Sequence, residues 1–241
     1  MEGKFITLEG IEGSGKSTNL SFIKQILDDN QINYIVTREP GGGTLGPSLR
    51  EILLDKSTVI SPTVEMLLMM ADRKDHVDNV INLNLKKGNW VISDRYLDST
   101  IAYQGGGRQL DVNLITFLSA ELDLPTPDLT LLFDLPVNEA LERAQERSEL
   151  DRFESEPEDF HKRIRNSYLE QASKNDRFKI VNSSKEIESV AEQVKNYVNE
   201  FLDELTSCLA EKIHWSLIKR WTTSCIFVLW KRGTRQATVI I

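Results

Sequence analysis

The 241-residue sequence contains few cysteines, no long apolar run and no excess of positive charge. Its two cysteines, Cys208 and Cys225, are too few for a disulfide scaffold, and with His214 they lack the spacing of a closed zinc site. No apolar run approaches the roughly 20 residues that span a bilayer, and the first ten residues lack the apolar core of a signal peptide. A net charge of −8 argues against a nucleic-acid coat protein. We therefore expect a cytoplasmic protein with no nucleic-acid partner and no stable membrane association.

The sequence does contain a regular alternation of short apolar segments and helical patterns. Five segments predict buried strands: KFITLEG, INYIVTRE, NWVISDR, LTLLFDL and FKIVNS. A long helix is expected to begin at Ser61 and Pro62, since serine caps helices and proline suits the first helical position. A last helix carries one apolar face, formed by Ile187, Val190, Val194, Val198, Phe201 and Leu205. The alternation predicts an α/β fold, with a five-stranded, mostly parallel sheet covered by helices on both faces.

One glycine-rich stretch, GIEGSGKST, follows the first predicted strand and precedes a helix. It fits the pattern G-x-x-x-x-G-K-[ST], in which backbone N–H groups and the positive end of the helix meet phosphate oxygens. Lys16 is expected to neutralise the β- and γ-phosphates, and the Ser17 hydroxyl to help hold Mg²⁺. Nine residues are thus candidates for ATP binding: Gly10, Ile11, Glu12, Gly13, Ser14, Gly15, Lys16, Ser17 and Thr18. The loop leaves the substrate open, because switches, motors and kinases share it.

Four further stretches lie at or after predicted strands, where open α/β sheets bind ligands. TREPGGGT follows the second strand, ADRKDH lies in the long helix, SDRYLDSTIAYQGGGR follows the third strand, and ERSELDRFE is expected between two helices after the fourth strand. Guanidinium groups grip phosphate with a fixed fork of donors, so an enzyme that holds two polyanions needs them. The candidates in these stretches are Arg38, Arg73, Arg95, Arg108, Arg147 and Arg152. For each arginine the alternative to a functional role is a surface position or a structural ion pair. For Arg38 and Arg108 the two interpretations have equal weight.

Together with the glycine loop, these stretches resemble those of the bacterial thymidylate kinases, in the same order, from about residue 3 to about residue 205. The resemblance implies a P-loop nucleoside monophosphate kinase. Such an enzyme transfers the γ-phosphoryl group of ATP to dTMP, giving dTDP for dTTP biosynthesis, with Mg²⁺ as cofactor. The resemblance also suggests a homodimer.

The same resemblance implies roles for individual residues. Asp94 serves the Mg²⁺ shell together with Ser17, and Arg147 and Arg152 lie on a mobile lid at about residues 146–156. The expected catalytic residues are Lys16, Arg95, Arg147 and Arg152. The expected dTMP-binding residues are Glu12, Arg38, Met69, Arg73, Arg95, Tyr103 and Gln104.

Three of these assignments have plainer alternatives. Tyr103 could pack in the core while Gln104 caps a turn, Met69 could be a core residue, and the lid could be an exposed charged segment. Met69 also departs from the family, which usually has a phenylalanine there to stack on the thymine. Among functions, the alternatives are the same chemistry on another acceptor, such as dUMP, UMP or a nucleoside, and a P-loop switch that signals to a partner.

The composition changes near residue 206. Residues 206–241 hold six lysines and arginines, a single acidic residue, Glu211, and three of the four tryptophans. We therefore predict a kinase domain at residues 1–205 and a basic, tryptophan-containing extension at residues 206–241. Three interpretations of the extension remain open: a poorly ordered tail, a docking segment, and a membrane-surface element.

Overall fold

The computed structural model describes residues 3–147 and 151–207. In this part of the chain five strands form one sheet in which every neighbouring pair is parallel, in the order β2-β3-β1-β4-β5. The strands are β1 (Phe5–Glu9), β2 (Tyr34–Arg38), β3 (Trp90–Asp94), β4 (Leu129–Asp134) and β5 (Phe178–Asn182). All five predicted strands and the α/β fold class are therefore confirmed, and the sheet is entirely rather than mostly parallel.

The burial of the central strand β1 explains why the strands appear in the sequence as apolar runs. Its five residues are all buried, and it pairs with β3 on one side and with β4 on the other. Strands that are covered on both faces read as continuous apolar segments. Because all strands run the same way, Glu9, Asp94 and Asp134 end at the same edge of the sheet, which is where ligands bind in open α/β folds.

Eight α-helices connect the strands and cover the sheet in the described residues between 16 and 174. They are α1 (Lys16–Asp29), α2 (Gly46–Leu54), α3 (Pro62–His76), α4 (Asn82–Lys86), α5 (Leu97–Thr100), α6 (Val112–Glu121), α7 (Val137–Arg147) and α8 (Glu158–Lys174). Two π-helical segments, Val77–Ile81 and Ile101–Gly107, follow α3 and α5 directly. Helix α3 begins as predicted, since the Ser61 side chain accepts a hydrogen bond from the Val64 N–H and Pro62 is the first helical residue.

Two apolar clusters account for much of the core. One joins Phe5 and Val91 of the sheet to Val77, Ile81 and Tyr96. The larger one is built around α7, α8 and the second π-helical segment, and its buried members include Tyr103, Leu132, Phe160, Ile164 and Tyr168. Tyr103 thus packs in the core as well as facing the site described below.

The three glycines of the second π-helical segment serve close packing. A Cβ on Gly106 would lie 2.7 Å from Cβ of Ser167, and one on Gly107 would lie 2.5 Å from the Phe160 ring. Such distances are well inside van der Waals contact, so α8 approaches this segment in a way that only glycine permits.

The chain divides into two compact units, Met1–Val198 and Asn199–Ile241. In the first unit residues 187–198 are helical, and Val190, Val194 and Val198 are buried as their spacing predicts, whereas Ile187 is largely exposed. The second unit is described for residues 199–207 alone, so the cysteines and tryptophans of the extension lie outside the described residues. The predicted boundary at residues 205/206 stays a prediction. No helix in the described part of the chain is long and apolar enough to cross a membrane.

Candidate active site

The glycine loop joins β1 to α1, and three of its glycines adopt positive φ angles. The φ values are 137° for Gly10, 74° for Gly13 and 88° for Gly15. A Cβ on Gly13 would lie 2.2 Å from the Ala140 carbonyl oxygen, and one on Gly10 would lie 2.5 Å from that of Phe133. The loop therefore requires glycine both for its backbone conformation and for its close contacts, and it leads directly into the positive end of α1.

Lys16 is folded back on this loop and donates to the carbonyl oxygens of Gly10 and Ile11, at 2.9 and 3.0 Å. Burial, followed by the positive charge of Arg95, lowers the pKa of Lys16 to about 8. The buried Ser14 hydroxyl has no hydrogen-bond partner among the described residues. A phosphate group on the loop would supply negative charge and acceptors to both groups.

Arg95 lies directly after β3 and has a positive φ of 71°. Its guanidinium reaches across to the glycine loop, where Nη2 donates to Glu12 Oε1 at 2.7 Å and Nη1 donates to the Gly10 carbonyl oxygen at 2.9 Å. The same guanidinium lies over the Tyr103 ring, 5.0 Å from its centroid. The structure thus brings Arg95 and Lys16, two predicted catalytic residues, to the same loop.

Glu12 connects the glycine loop to the second π-helical segment. Tyr103 donates from its phenolic oxygen to Glu12 Oε2 at 2.5 Å. Burial alone raises the pKa of Glu12, but the charges of Arg95 and Lys16 and the bond from Tyr103 outweigh it and hold this pKa below its usual value. Glu12 is therefore an ionised acceptor beside the loop.

Arg73 is fully buried in α3 and is held by three acceptors from other parts of the chain. Its Nε donates to Glu39 at 2.7 Å, Nη1 donates to the Thr100 hydroxyl at 2.9 Å, and Nη2 donates to the Tyr96 carbonyl oxygen at 2.9 Å. Glu39 also contacts His76 Nδ1 at 2.8 Å. Arg73 is thus fixed in one orientation, because each of its nitrogens has a partner.

Glu65, a fully buried carboxylate of α3, collects three donors. Gln104 donates from Nε2 to Oε1 at 2.9 Å, Arg152 donates from Nη1 to Oε2 at 2.7 Å, and Arg108 forms a 3.0 Å ion pair. Arg152 also donates to the Leu53 carbonyl oxygen. The structure therefore places the predicted lid residue Arg152 on a protein carboxylate, where Arg108 is engaged as well.

The predicted lid is partly described. Glu146 and Arg147 belong to the end of α7, which corrects the expectation that the whole stretch ERSELDRFE lies between two helices. The side chain of Arg147 and residues 148–150 lie outside the described residues.

A cavity of about 840 Å³ opens beside the glycine loop. Its lining includes Lys16 and Ser17 of the loop, Asp94 and Arg95 after β3, and the predicted acceptor residues Arg38, Met69, Arg73, Tyr103 and Gln104. Arg152 is not among its lining residues. Glu12 lines the cavity as well, so the structure joins the phosphate loop and all seven predicted dTMP-binding residues in one space.

Comparison with known proteins agrees with this arrangement. A family model for thymidylate kinase matches residues 8–194. The chain is 46% identical over 199 residues to the thymidylate kinase of Carboxydothermus hydrogenoformans, covering 82% of this chain and 98% of that one. It is 44% identical over 210 residues to the thymidylate kinase of Nitrosomonas europaea, covering 85% of this chain and 96% of that one. The chain belongs to the thymidylate kinase family.

A solved structure supports the same assignment. The crystal structure of thymidylate kinase from Ehrlichia chaffeensis matches with a TM-score of 0.67 and 32% identity, over 83% of this chain and all of that one. The chain is accordingly a dTMP kinase, a phosphotransferase that converts dTMP to dTDP.

The cavity also contains residues that the sequence interpretation missed. Arg143 of α7 and residues 183–187, which follow β5, line one part of it. Arg143 donates to the Ser183 carbonyl oxygen at 3.1 Å, which links the helix to that loop. The position of residues 183–187 could have identified them, because a loop after β5 must lie at the same sheet edge as the glycine loop. Arg143 lies in a charged helix, and its sequence context contains no signal of a binding site.

The residues present fit a Mg²⁺ ion of the kind that kinases use. Asp94 has a buried carboxylate oxygen with no hydrogen-bond partner among the described residues, and Ser17 lines the same cavity. The described part of the chain has no group of three or more His, Cys, Asp or Glu residues arranged to hold a metal. Mg²⁺ does not require one, since it keeps several waters and binds through one or two carboxylates plus substrate phosphates.

Proposed function

We propose that this kinase uses ATP as phosphoryl donor and Mg²⁺ as cofactor, and that both nucleotides bind in the cavity beside the glycine loop. The observation that carries the proposal is that Lys16, Arg95 and Arg73 line one continuous space. A kinase must bring two polyanions together with their reacting phosphates in line, and most of its catalysis is positioning and charge stabilisation.

The donor is assigned to the side formed by the loop Gly10–Thr18, Arg143 and residues 183–187. Backbone N–H groups of the loop and the start of α1 bind the phosphates, and Lys16 exchanges its carbonyl acceptors for phosphate oxygens. Arg143 and residues 183–187 extend the cavity from the loop, so we assign them to the base of ATP. When bound, Mg²⁺ neutralises phosphate charge, and Asp94 and Ser17 are the residues that would hold it.

The acceptor is assigned to the side formed by Arg38, Met69, Arg73, Tyr103 and Gln104. Arg73 and Met69 face the thymine, Arg38 serves the monophosphate, and Glu12 lies near the sugar. The phosphate oxygen of dTMP is already anionic at neutral pH, so no strong general base is needed. Lys16 and Arg95 stabilise the charge that moves between the two nucleotides.

The lid arginines complete this proposal. Arg152 is bound to Glu65 and to the Leu53 carbonyl oxygen, so its proposed role requires it to exchange these partners for phosphate when ATP is present. Arg147 is assigned the same role on the strength of the resemblance. Closing the site in this way excludes water and limits ATP hydrolysis. The homodimer and the cytoplasmic location stay predictions.

The test is ADP release by the full chain with ATP and Mg²⁺, comparing dTMP, dUMP, UMP, dCMP, dGMP and no acceptor. Fast release with dTMP and slow release with the others is expected, together with a loss of orders of magnitude in Lys16→Ala at unchanged fold. A preference for another monophosphate would overturn the acceptor assignment. ADP release that no monophosphate stimulates would favour a nucleotide-dependent switch.

A further inference from the structure

Glu9, the last residue of β1, has no role in the assignments above, although it is fully buried beside the site. Both of its carboxylate oxygens are engaged. Oε1 accepts from the Tyr96 N–H at 2.8 Å. Oε2 accepts from the hydroxyl groups of Ser99 at 2.6 Å and Tyr168 at 2.9 Å. The carboxylate thus binds groups from the turn after β3, from α5 and from α8.

The same two hydroxyl groups contact Arg95. Its Nη1 donates to Ser99 Oγ and to Tyr168 OH, each at 3.2 Å. The two hydroxyl oxygens are themselves 2.7 Å apart. A two-step connection therefore runs from Glu9 through Ser99 and Tyr168 to the guanidinium that reaches the glycine loop.

The direction of these hydrogen bonds follows from chemistry. A guanidinium can only donate, an ionised carboxylate can only accept, and a hydroxyl has one proton and two lone pairs. With their protons turned toward Glu9, the hydroxyl groups of Ser99 and Tyr168 present lone pairs to Arg95. A group that donated to them from the position of Glu9 would turn their protons toward the guanidinium and weaken its binding.

We propose that Glu9 is a positioning residue, which orients Arg95 for phosphoryl transfer through the hydroxyl groups of Ser99 and Tyr168. The inference rests on the role proposed above for Arg95. It accounts for a buried carboxylate, which is costly to place in a protein interior unless it is hydrogen-bonded. It also accounts for the fixed position of a guanidinium whose residue has a positive φ angle.

The groups around Glu9 act on its pKa in both directions. Burial and then the negative charge of Asp98 raise the pKa of Glu9 to about 7, while Ser99, Arg95 and Tyr168 act in the opposite direction. Asp98 is itself paired with Arg177 at 2.7 Å. Ser99, Arg95 and Tyr168 therefore favour the ionised form of Glu9, which accepts hydrogen bonds, and they also form its connection to the site.

The test is steady-state kinetics of Glu9→Gln, a variant of the same shape that adds an N–H₂ donor. We expect kcat to fall about 10- to 100-fold, in line with the loss of a hydrogen-bond relay to a charged group, while KM for ATP and for dTMP changes less than about 3-fold. Tyr168→Phe, which removes one of the two hydroxyl groups, should lower kcat by a smaller factor. Cooperative thermal unfolding monitors folding, and Tyr168→Phe carries the test if Glu9→Gln does not fold.

A double-mutant cycle with Arg95→Lys separates this role from a structural one. If Glu9 acts through Arg95, Glu9→Gln has little further effect in the Arg95→Lys background. An equal fall in both backgrounds, or a rise in KM at constant kcat, would overturn the inference. Wild-type kcat in Arg95→Lys would instead refute the role of Arg95 itself, whereas wild-type kcat in Glu9→Gln beside an impaired Arg95→Lys would refute the role of Glu9 alone.

Discussion

The phenolic oxygen of Tyr103 lies 2.5 Å from Glu12 Oε2 and donates to it. This bond joins the glycine loop, which we assign to ATP, to the π-helical segment that we assign to dTMP. Because Glu12 also pairs with Arg95 at 2.7 Å, a single carboxylate connects the two sides of the cavity. The hydroxyl group of Tyr103 and the bulk of its ring can be tested separately.

Replacing Tyr103 by phenylalanine should raise KM for dTMP by roughly 10-fold, since a hydrogen bond to a charged group contributes about 1.5–3 kcal/mol. The ring remains, so discrimination between dTMP and its ribonucleotide counterpart should be kept. Tyr103→Ala is the matched comparison, because it removes the bulk that we expect to oppose a 2′-hydroxyl. Equal loss of discrimination in both variants, measured as a ratio of kcat/KM values, would contradict this division of roles.

Met69→Phe should lower KM for dTMP by about 2- to 10-fold, because an aromatic pair contributes roughly 0.5–1.5 kcal/mol beyond the area that it buries. Met69 lines the cavity and packs against the larger core cluster, so a ring at this position can face the thymine. Met69→Leu, of similar size and without a ring, is the control and should leave KM nearly unchanged. An unchanged or higher KM in Met69→Phe would place this side chain away from the base.

Gly107→Ala should destabilise the protein by about 1–3 kcal/mol, the usual penalty for forcing atoms into a packed interior. The added methyl group would lie 2.5 Å from the Phe160 ring and 3.1 Å from Ile164. Urea unfolding measures the change. A second substitution, Phe160→Leu, opens space opposite the methyl group and should be less damaging in the Gly107→Ala background than alone. Strictly additive effects would argue against this contact.

Asp72 should make stability depend on pH. Burial and then the charge of Glu39 raise the pKa of Asp72 to about 6, while it accepts from the Gly41 N–H. Between pH 4 and pH 6 the folded state therefore binds a proton that the unfolded state releases, so this group's contribution to stability is lost as pH rises through that window.

Asp72→Asn removes the titration and keeps an oxygen that can accept from Gly41. The free energy of unfolding of the wild type, relative to Asp72→Asn, should fall by on the order of 2–3 kcal/mol between pH 4 and pH 6 and then become constant. Urea unfolding of both proteins across this range gives the difference directly. A difference that does not vary with pH would mean that Asp72 titrates normally.

Much of this fold could be predicted because its strongest signals are local. The glycine loop combines backbone conformations that favour glycine with a lysine and a serine at fixed spacing, and the five strands read as apolar runs because each is covered by other elements. Ser61 and Pro62 marked the start of α3 for the same reason, since a helix start depends on neighbouring residues alone.

The features that escaped prediction depend on distant partners. Arg152 and Gln104 share Glu65, which lies 87 and 39 residues away from them in the sequence, and no local pattern relates such positions. The π-helical segment Ile101–Gly107 likewise packs against α8, a helix that is distant in the sequence. Glu9 reads in the sequence as the end of a strand, and its partner Tyr168 is 159 residues away.

For anyone who wishes to redesign the acceptor range of this enzyme, the two sides of the cavity offer unequal opportunity. The segment that carries Tyr103 and Gln104 packs against α8 through Gly106 and Gly107 and against α6 through Gly105, so a side chain added at any of these glycines would meet packed atoms. That side of the cavity therefore tolerates little change at its three glycines. Met69 lines the cavity from α3 with a flexible side chain, so substitutions intended to change the accepted base are better placed there.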